Sequence, residues 1–378
     1  MNKKEISEIR KLFTPENSVI TRICGCYIDG EKEIKCKTKE AFHSLSEEEA
    51  FKYFEIFKHS LSGTLGKNLL NLEFPLEQEM EGGTQEFLLR LRNSKLEDDE
   101  LLDEFYNKII ENYEYPSNYY VTLIHAVYDV PGKSSAGDEM FDASDEVYDY
   151  MLCSICPVNL DKSGLSYHAD DGRIGERTRD WLVAPPAKAF LFPSFNDRTA
   201  DIHSLLYYSK NPEELQPGLI ENVFGASEPM SADNQKETFH TIITETLGDE
   251  CHYEVVKNIH ETLNEMIEEN KDEPEPLVIT KNEIRHILEE SGVPNEQMES
   301  FEKTYDSTAG VNTSMLASNI AEVRKFNIQT PDVIIKVNPD RTDLVQTRII
   351  DGRQCLVIAV DDHIEVNGVN VRTIREQS

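Results

Sequence analysis

Long apolar runs are missing from this chain of 378 residues. The best candidate, residues 181–192, is broken by Pro185, Pro186 and Lys188, short of the ~18 apolar residues that a membrane-crossing helix needs. The N-terminus, Met1-Asn-Lys-Lys-Glu-Ile, has no apolar stretch of the kind a secretory signal carries. Positive charge is scarce: 38 Lys and Arg stand against 71 Asp and Glu, a formal net charge of −33. Such a field repels nucleic-acid phosphates and anionic lipids, and argues against non-specific binding to either. Cysteine is sparse and odd in number, seven in all, which suits reduced thiols rather than a disulfide framework. These absences lead us to expect a cytoplasmic protein that does not enter a membrane.

The acidity is not evenly spread. Residues 71–150 carry 5 basic against 20 acidic side chains, and residues 211–310 carry 6 against 24. The rest is close to balance, and residues 1–70, with 12 against 11, form the only segment with a positive excess. Sixteen Phe and fifteen Tyr supply the core anchors that a disordered chain would lack.

Periodicity sets the expected elements. Residues 3–13 read as a short helix and residues 18–29 as a strand closed by the Asp29-Gly30 turn signal. Ser46 and Glu49 form a capping box ahead of a helix with Phe51, Phe54, Phe57 and Leu61 on one face. Residues 84–92 and 96–113 read as helices, the second opening on four acidic residues that suit a helix N-terminus. Residues 119–130, 147–158, 187–195 and 201–209 read as strands, the first apolar on both faces as in a central strand. Helical periods follow at 213–223, 232–246 and 251–269, and Thr280 with Glu283 caps another. Alternating segments at 333–337, 344–350, 354–360, 364–366 and 369–374, with Asp351-Gly352 and Asn367-Gly368 turns, predict a C-terminal antiparallel sheet.

The expected class is α+β. A larger part, residues 1–270, combines an antiparallel sheet with helices. The polar, proline-bearing residues 270–276 are the expected linker, and residues 277–378 follow as two helices plus an antiparallel β-sheet.

Several phrases, SVITRICGCYIDG, SGTLGKNLLN, LCSICPV, RDWLVAPPAKAFLFPSFNDRTADIH and TPDVIIKVNPDRTDLV, together make the chain resemble an uncharacterised bacterial family, domain of unknown function 4317. The resemblance runs over nearly the whole chain and implies a bacterial cytosolic protein kept as one unit. It implies no activity, so no catalytic residue is carried over.

Four constellations carry candidate chemistry. Cys24, Cys26, Cys153 and Cys156 could in number supply a zinc site, but both pairs sit in apolar, strand-like runs where free cysteines pack as small hydrophobes. Gly63-Thr-Leu-Gly66-Lys67-Asn68 has the glycines and lysine of a phosphate loop, with two residues between the glycines where that loop has four. Residues 280–305 have helix-turn-helix proportions, but Glu296, Glu299 and Glu302 on the second helix would face phosphates. The preferred site is central: Arg173, Arg177 and Arg179 with two glycines, followed by Asp197, Arg198, Asp201 and His203. Arginine forks suit phosphate or carboxylate, and two carboxylates with an imidazole suit a hard metal or acid–base work. The bland alternative is a solvated loop of arginine–aspartate pairs. The functional expectation is a non-catalytic interaction or regulatory protein whose partner is a protein or a small anion. The alternative is a metal-assisted hydrolase or phosphoryl-processing enzyme using residues 173–203.

Overall fold

Residues 119–130 and 147–158, apolar on both faces in the sequence, lie at the centre of one antiparallel sheet in the computed structural model. The structure describes residues 1–133, 139–140, 146–311, 313–323, 325–360 and 364–371, and it divides into two units, residues 1–234 and 235–378. The class is α+β, as expected.

The strands of the first unit are β1 (Ile20–Ile28), β2 (Ile34–Ala41), β3 (Leu69–Glu73), β4 (Tyr119–Val130), the short pair β5 (Gly132–Lys133) and β6 (Glu139–Met140), and β7 (Glu146–Leu160). They continue with β8 (Leu165–His168), β9 (Arg173–Glu176), β10 (Trp181–Val183), β11 (Lys188–Phe192), β12 (Ser194–Asn196), β13 (Thr199–Asp201) and β14 (Ser204–Ser209). The main sheet runs β2-β1-β4-β7-β11-β14-β3, with β10 on the far end of β7. Every pairing in it is antiparallel.

Both faces of the sheet are covered, which is why its central strands read as continuous apolar runs rather than alternating ones. Helices α1 (Lys3–Lys11) and α2 (Glu47–Ser60) bury Ile6, Ile9, Phe54 and Phe57 against Ile124, Leu152 and Leu206 on one face. Helices α3 (Thr84–Asn93) and α4 (Asp99–Asn112) bury Leu88, Leu91, Phe105 and Ile109 against Leu123, Cys153 and Phe190 on the other. Asn2 and Glu5 close a capping box on α1, and Asp98 caps α4 by accepting from the Glu100 and Leu101 amides. The acidic start of α4 meets a basic edge: Lys37 pairs with Asp103 and Lys39 with Asp99 from β2, and Arg22 of β1 pairs with Glu97 at 2.6 Å. One expectation fails on α2, where Phe51 is exposed while Phe54 and Phe57 turn inward.

The second unit contains α5 (Ala232–Leu247), whose first turn spans the division, α6 (Tyr253–Glu269), α7 (Lys281–Glu290), α8 (Asn295–Thr308) and α9 (Ala317–Ile320). The helices share one core, in which Phe239, Ile242, Ile259 and Leu263 meet Ile284, Ile287, Phe301 and Tyr305. Residues 270–276 therefore connect two helices of the same core, and the division falls at Asn234/Gln235 instead. The apolar faces of α5 and α6 explain this placement, since they are buried only when α7 and α8 lie on them.

The strands here are β15 (Val278–Ile279), β16 (Met315–Leu316), β17 (Phe326–Gln329), β18 (Ile334–Val337), β19 (Val345–Ile350), β20 (Arg353–Ile358), β21 (Ile364–Val366) and β22 (Val369–Val371). β15 and β16 pair across α7 and α8, and β17 to β22 pair among the described residues as separate two-stranded hairpins, not as the single C-terminal sheet expected. Ile334, Ile349, Ile350, Val366 and Val369 are exposed, so no buried face holds one hairpin on the next. Residues 372–374 of the expected last strand lie outside the described residues. No described helix is long and apolar enough to cross a membrane.

Candidate functional site

The central residues singled out from the sequence fall into two separately anchored groups. Arg173 and Arg177 belong to the β8–β9 hairpin, where Arg177 pairs with Asp161 and Arg173 lies 3.5 Å from Asp171. Arg179 is exposed and makes no ion pair among the described residues. The second group is the tight turn joining β12 to β13. Asp197 and Arg198 sit at its tip with φ of 50° and 60°, a left-handed pair that non-glycine residues rarely adopt.

Helix α1 holds that turn. Glu5 Oε1 accepts from the Asp197 amide at 2.7 Å, and Glu8 one turn later takes the Arg198 guanidinium at 2.8 and 3.3 Å. Arg198 also donates to the Pro131 carbonyl at 3.0 Å. Asp201 is committed as well, accepting from Asn196, Ser204 and the His203 amide. Burial pushes its carboxyl up, but these hydrogen bonds outweigh that and hold it below the usual range. His203 pairs with Glu79 at 2.7 Å, which raises its imidazole above the ordinary value. No hydrogen bond or ion pair joins the two groups among the described residues.

The other sequence candidates resolve as structure. Cys24, Cys26 and Cys153 line one face of the sheet, while Cys156 follows Cys153 by three strand positions and so points to the opposite face. Burial drives all four thiols up, Cys24 and Cys26 to about 12, so they pack as neutral groups. No cluster of three or more His, Cys, Asp or Glu able to hold a metal occurs among the described residues. Asn68, at the end of the glycine loop, donates its side-chain amide to the Ser209 and Lys210 carbonyls and ties that loop to β14. A histidine of β4 outside those candidates, His125, lies buried between Thr21 Oγ1 at 2.6 Å and Asp149 at 2.9 Å, so both ring nitrogens are satisfied.

The positive charge that is free gathers elsewhere. A groove of about 750 Å³ lies between the C-terminal turns of α1 and α2 and the chain leaving β10. Arg10, Lys52, Lys58 and His59 line it, with Ile56, Val183 and Pro185 as apolar surface. A cleft of about 160 Å³ shares Arg10 and Ser62 with the groove and adds Lys3. The one acidic residue lining either, among the described residues, is Glu55, 3.8 Å from Lys52. Lys3, Arg10 and Lys58 form no ion pair among the described residues. Lys37 and Lys39 of β2, by contrast, are neutralised by α4 on the far side of the sheet.

Along this groove the sheet has an open edge. Among the described residues β10 pairs with β7 alone, and Trp181, Leu182 and Val183 are all exposed. The Asp161 amide bonds the Asp180 carbonyl and the Ala184 amide bonds the Pro157 carbonyl, both at 2.8 Å. In an antiparallel ladder the residues between such bonded positions alternate, so Trp181 and Val183 direct their backbone groups away from β7. The signals in the sequence were weak: the basic residues end two different helices, where each suits the helix dipole.

A family model described as a domain of unknown function, DUF4317, matches residues 1–369, and the chain belongs to that family. No curated protein matches it.

Proposed function

We propose that this member of the DUF4317 family is a non-catalytic binding protein whose N-terminal unit takes an acidic, extended segment of a protein partner. The observation that carries this reading is the set of unpaired cations around the groove beside β10, in a chain with a net charge of −33. An acidic partner is repelled by most of this surface and attracted here. An extended segment gains main-chain hydrogen bonds from the outward groups of Trp181 and Val183, the mode in which a peptide adds a strand to a sheet edge. Its acidic side chains then reach Arg10, Lys52 and Lys58, while Ile56 and Pro185 supply apolar contact. The enzymatic reading of residues 173–203 has less support. The Asp201 carboxylate is consumed by three local donors, and the arginines of the hairpin pair with their own neighbours.

The single tryptophan stands at the site and makes the test direct. A synthetic peptide of alternating threonine and glutamate is titrated into the protein while Trp181 fluorescence is followed. Saturable binding is expected, weakened by salt and absent for the threonine–lysine counterpart. Replacing Arg10, Lys52 and Lys58 together by Glu removes three rim pairs worth about 0.5 kcal/mol each, so affinity falls at least about tenfold. Equal binding by the folded charge-reversed variant, or no binding of the acidic peptide at millimolar concentration, overturns the proposal.

A further inference from the structure

The second unit holds a cavity that neither the family description nor the peptide groove accounts for. It measures about 430 Å³, within the range of small-molecule sites. Three elements build it. Helix α5 contributes Lys236 and His240, one turn apart, and α6 contributes Tyr253, Val256 and His260 along one face. The segment leading into β17 contributes Glu322 and Lys325, β17 itself contributes Phe326 and Ile328, and Cys251 also lines the cavity.

The lining is both aromatic and polar. Phe326 is the centre of the aromatic part: the Tyr253 and His260 rings each meet it edge to face, with centroids 6.2 Å away. Two imidazoles lie on the wall, and burial lowers the basicity of both. For His240 the neighbouring Lys236 adds to the effect, and for His260 the neighbouring His240 does. They are neutral near pH 7, and each offers one donor and one acceptor. Among the described charged groups, Lys236 is paired with Glu322 and Lys325 has no ion pair, so these lining groups keep one positive charge. Arg324 lies outside the described residues and is not counted.

We propose that this cavity binds a small planar heteroaromatic acid. A flat ring fits against Phe326, Tyr253 and His260, where stacked and edge-to-face contacts contribute beyond burial alone. Ring nitrogens find complementary donors and acceptors on the two imidazoles. A carboxylate or phosphate on the ring meets the uncompensated Lys325, with Lys236 behind it. An uncharged ring lacks that contact, and a cation is opposed by both lysines.

The test uses the full chain and three acids, nicotinate, indole-3-carboxylate and adenosine 5′-monophosphate, each beside its uncharged counterpart, nicotinamide, indole or adenosine. Histidine ring signals are followed by NMR through a pH titration, with His240 and His260 assigned from His→Asn variants. At least one acid is expected to bind with a Kd below about 1 mM and its uncharged counterpart at least about tenfold more weakly. A bound anion favours the charged form of both imidazoles, so their titration midpoints rise, whereas an uncharged ring has no charge with which to raise them. Lys325→Ala, an exposed substitution that leaves the core untouched, is expected to weaken the acid about threefold or more. If no acid moves the His240 or His260 signals at about 5 mM, or acids and uncharged rings bind equally, the proposal is overturned. Phosphate binding by adenosine 5′-monophosphate alone, or carboxylate binding alone, supports it and identifies the acid group.

Discussion

Lys188 is the most informative perturbation in the sheet. It begins β11, is 4% exposed, and places its ammonium 2.7 Å from Ser209 Oγ and against the Glu214 carbonyl. Burial lowers its pKa from 10.5 to about 8, with the nearby Glu214 charge opposing the shift. The folded state therefore gives up this proton at a lower pH than the unfolded chain. Between pH 8 and 10.5 the unfolded state binds more protons, so the lysine's contribution to stability rises with pH by about 1.4 kcal/mol per unit. Below pH 8 the full penalty is present, about 3 kcal/mol. Lys188→Met fills a similar volume without the charge. It removes two hydrogen bonds, but Ser209 Oγ keeps its contacts to Asn211 and Glu214, which limits that loss to about 1 kcal/mol. The variant is therefore expected to be about 2 kcal/mol more stable than wild type at pH 7, and slightly less stable by pH 10.5. Urea unfolding followed through Trp181 reads this unit alone, since the chain has no other tryptophan. The comparison must be between the two proteins at each pH. Buried Cys24, Cys26, Cys153 and Cys156, all with raised pKa, make both proteins lose stability above pH 9, by several times the lysine slope. A variant destabilised by the same amount at pH 7 and pH 10 would refute the reasoning, because the lysine would then be no more desolvated folded than unfolded.

Two further substitutions separate structural from exposed charge. Glu8→Ala leaves the half-buried Arg198 without its two-pronged partner and frees the β12–β13 turn, at an expected cost of about 2 kcal/mol in the same urea assay. A cost below about 0.5 kcal/mol would mean that the Glu5 bond to the Asp197 amide holds the left-handed pair without Glu8. Replacing Arg173, Arg177 and Arg179 together by Ala removes only solvent-screened contacts and is expected to change stability by less than about 1 kcal/mol. A loss above about 3 kcal/mol would make the hairpin arginines structural.

Where a turn carried its own chemistry, it was legible. Asp351-Gly352 and Asn367-Gly368 adopt the left-handed pairs that their residues favour, with φ of 49° and 75° and of 49° and 82°. The β12–β13 turn has the same backbone signature without a glycine, because Glu5 and Glu8, some 190 residues away, hold it. No local pattern encodes that. The division between units was hidden for a related reason. It falls inside the α5 sequence, where no proline, glycine or charge run marks it, whereas residues 270–276 have the composition of a linker but serve as a loop within one core. Composition reports how exposed a segment is, and both linkers and surface loops are exposed.

The same distinction explains why the arginine cluster stood out in the sequence and the groove did not. Arg173, Arg177 and Arg179 are conspicuous because they are close together, yet Asp161, Asp171 and Asp180 are equally close, and a chain satisfies charges with what lies near. Free positive charge survives where topology separates cations from acids. In the first unit the sheet does this: acidic α4 meets Lys37 and Lys39 of β2 on one side, and the ends of α1 and α2 are left on the other. Arg10 and Lys58 are 48 positions apart in the chain and meet only because both helices cover the same face. The positive balance of residues 1–70 held this information as a sum. It became a site only when the sheet sorted which of those charges had partners.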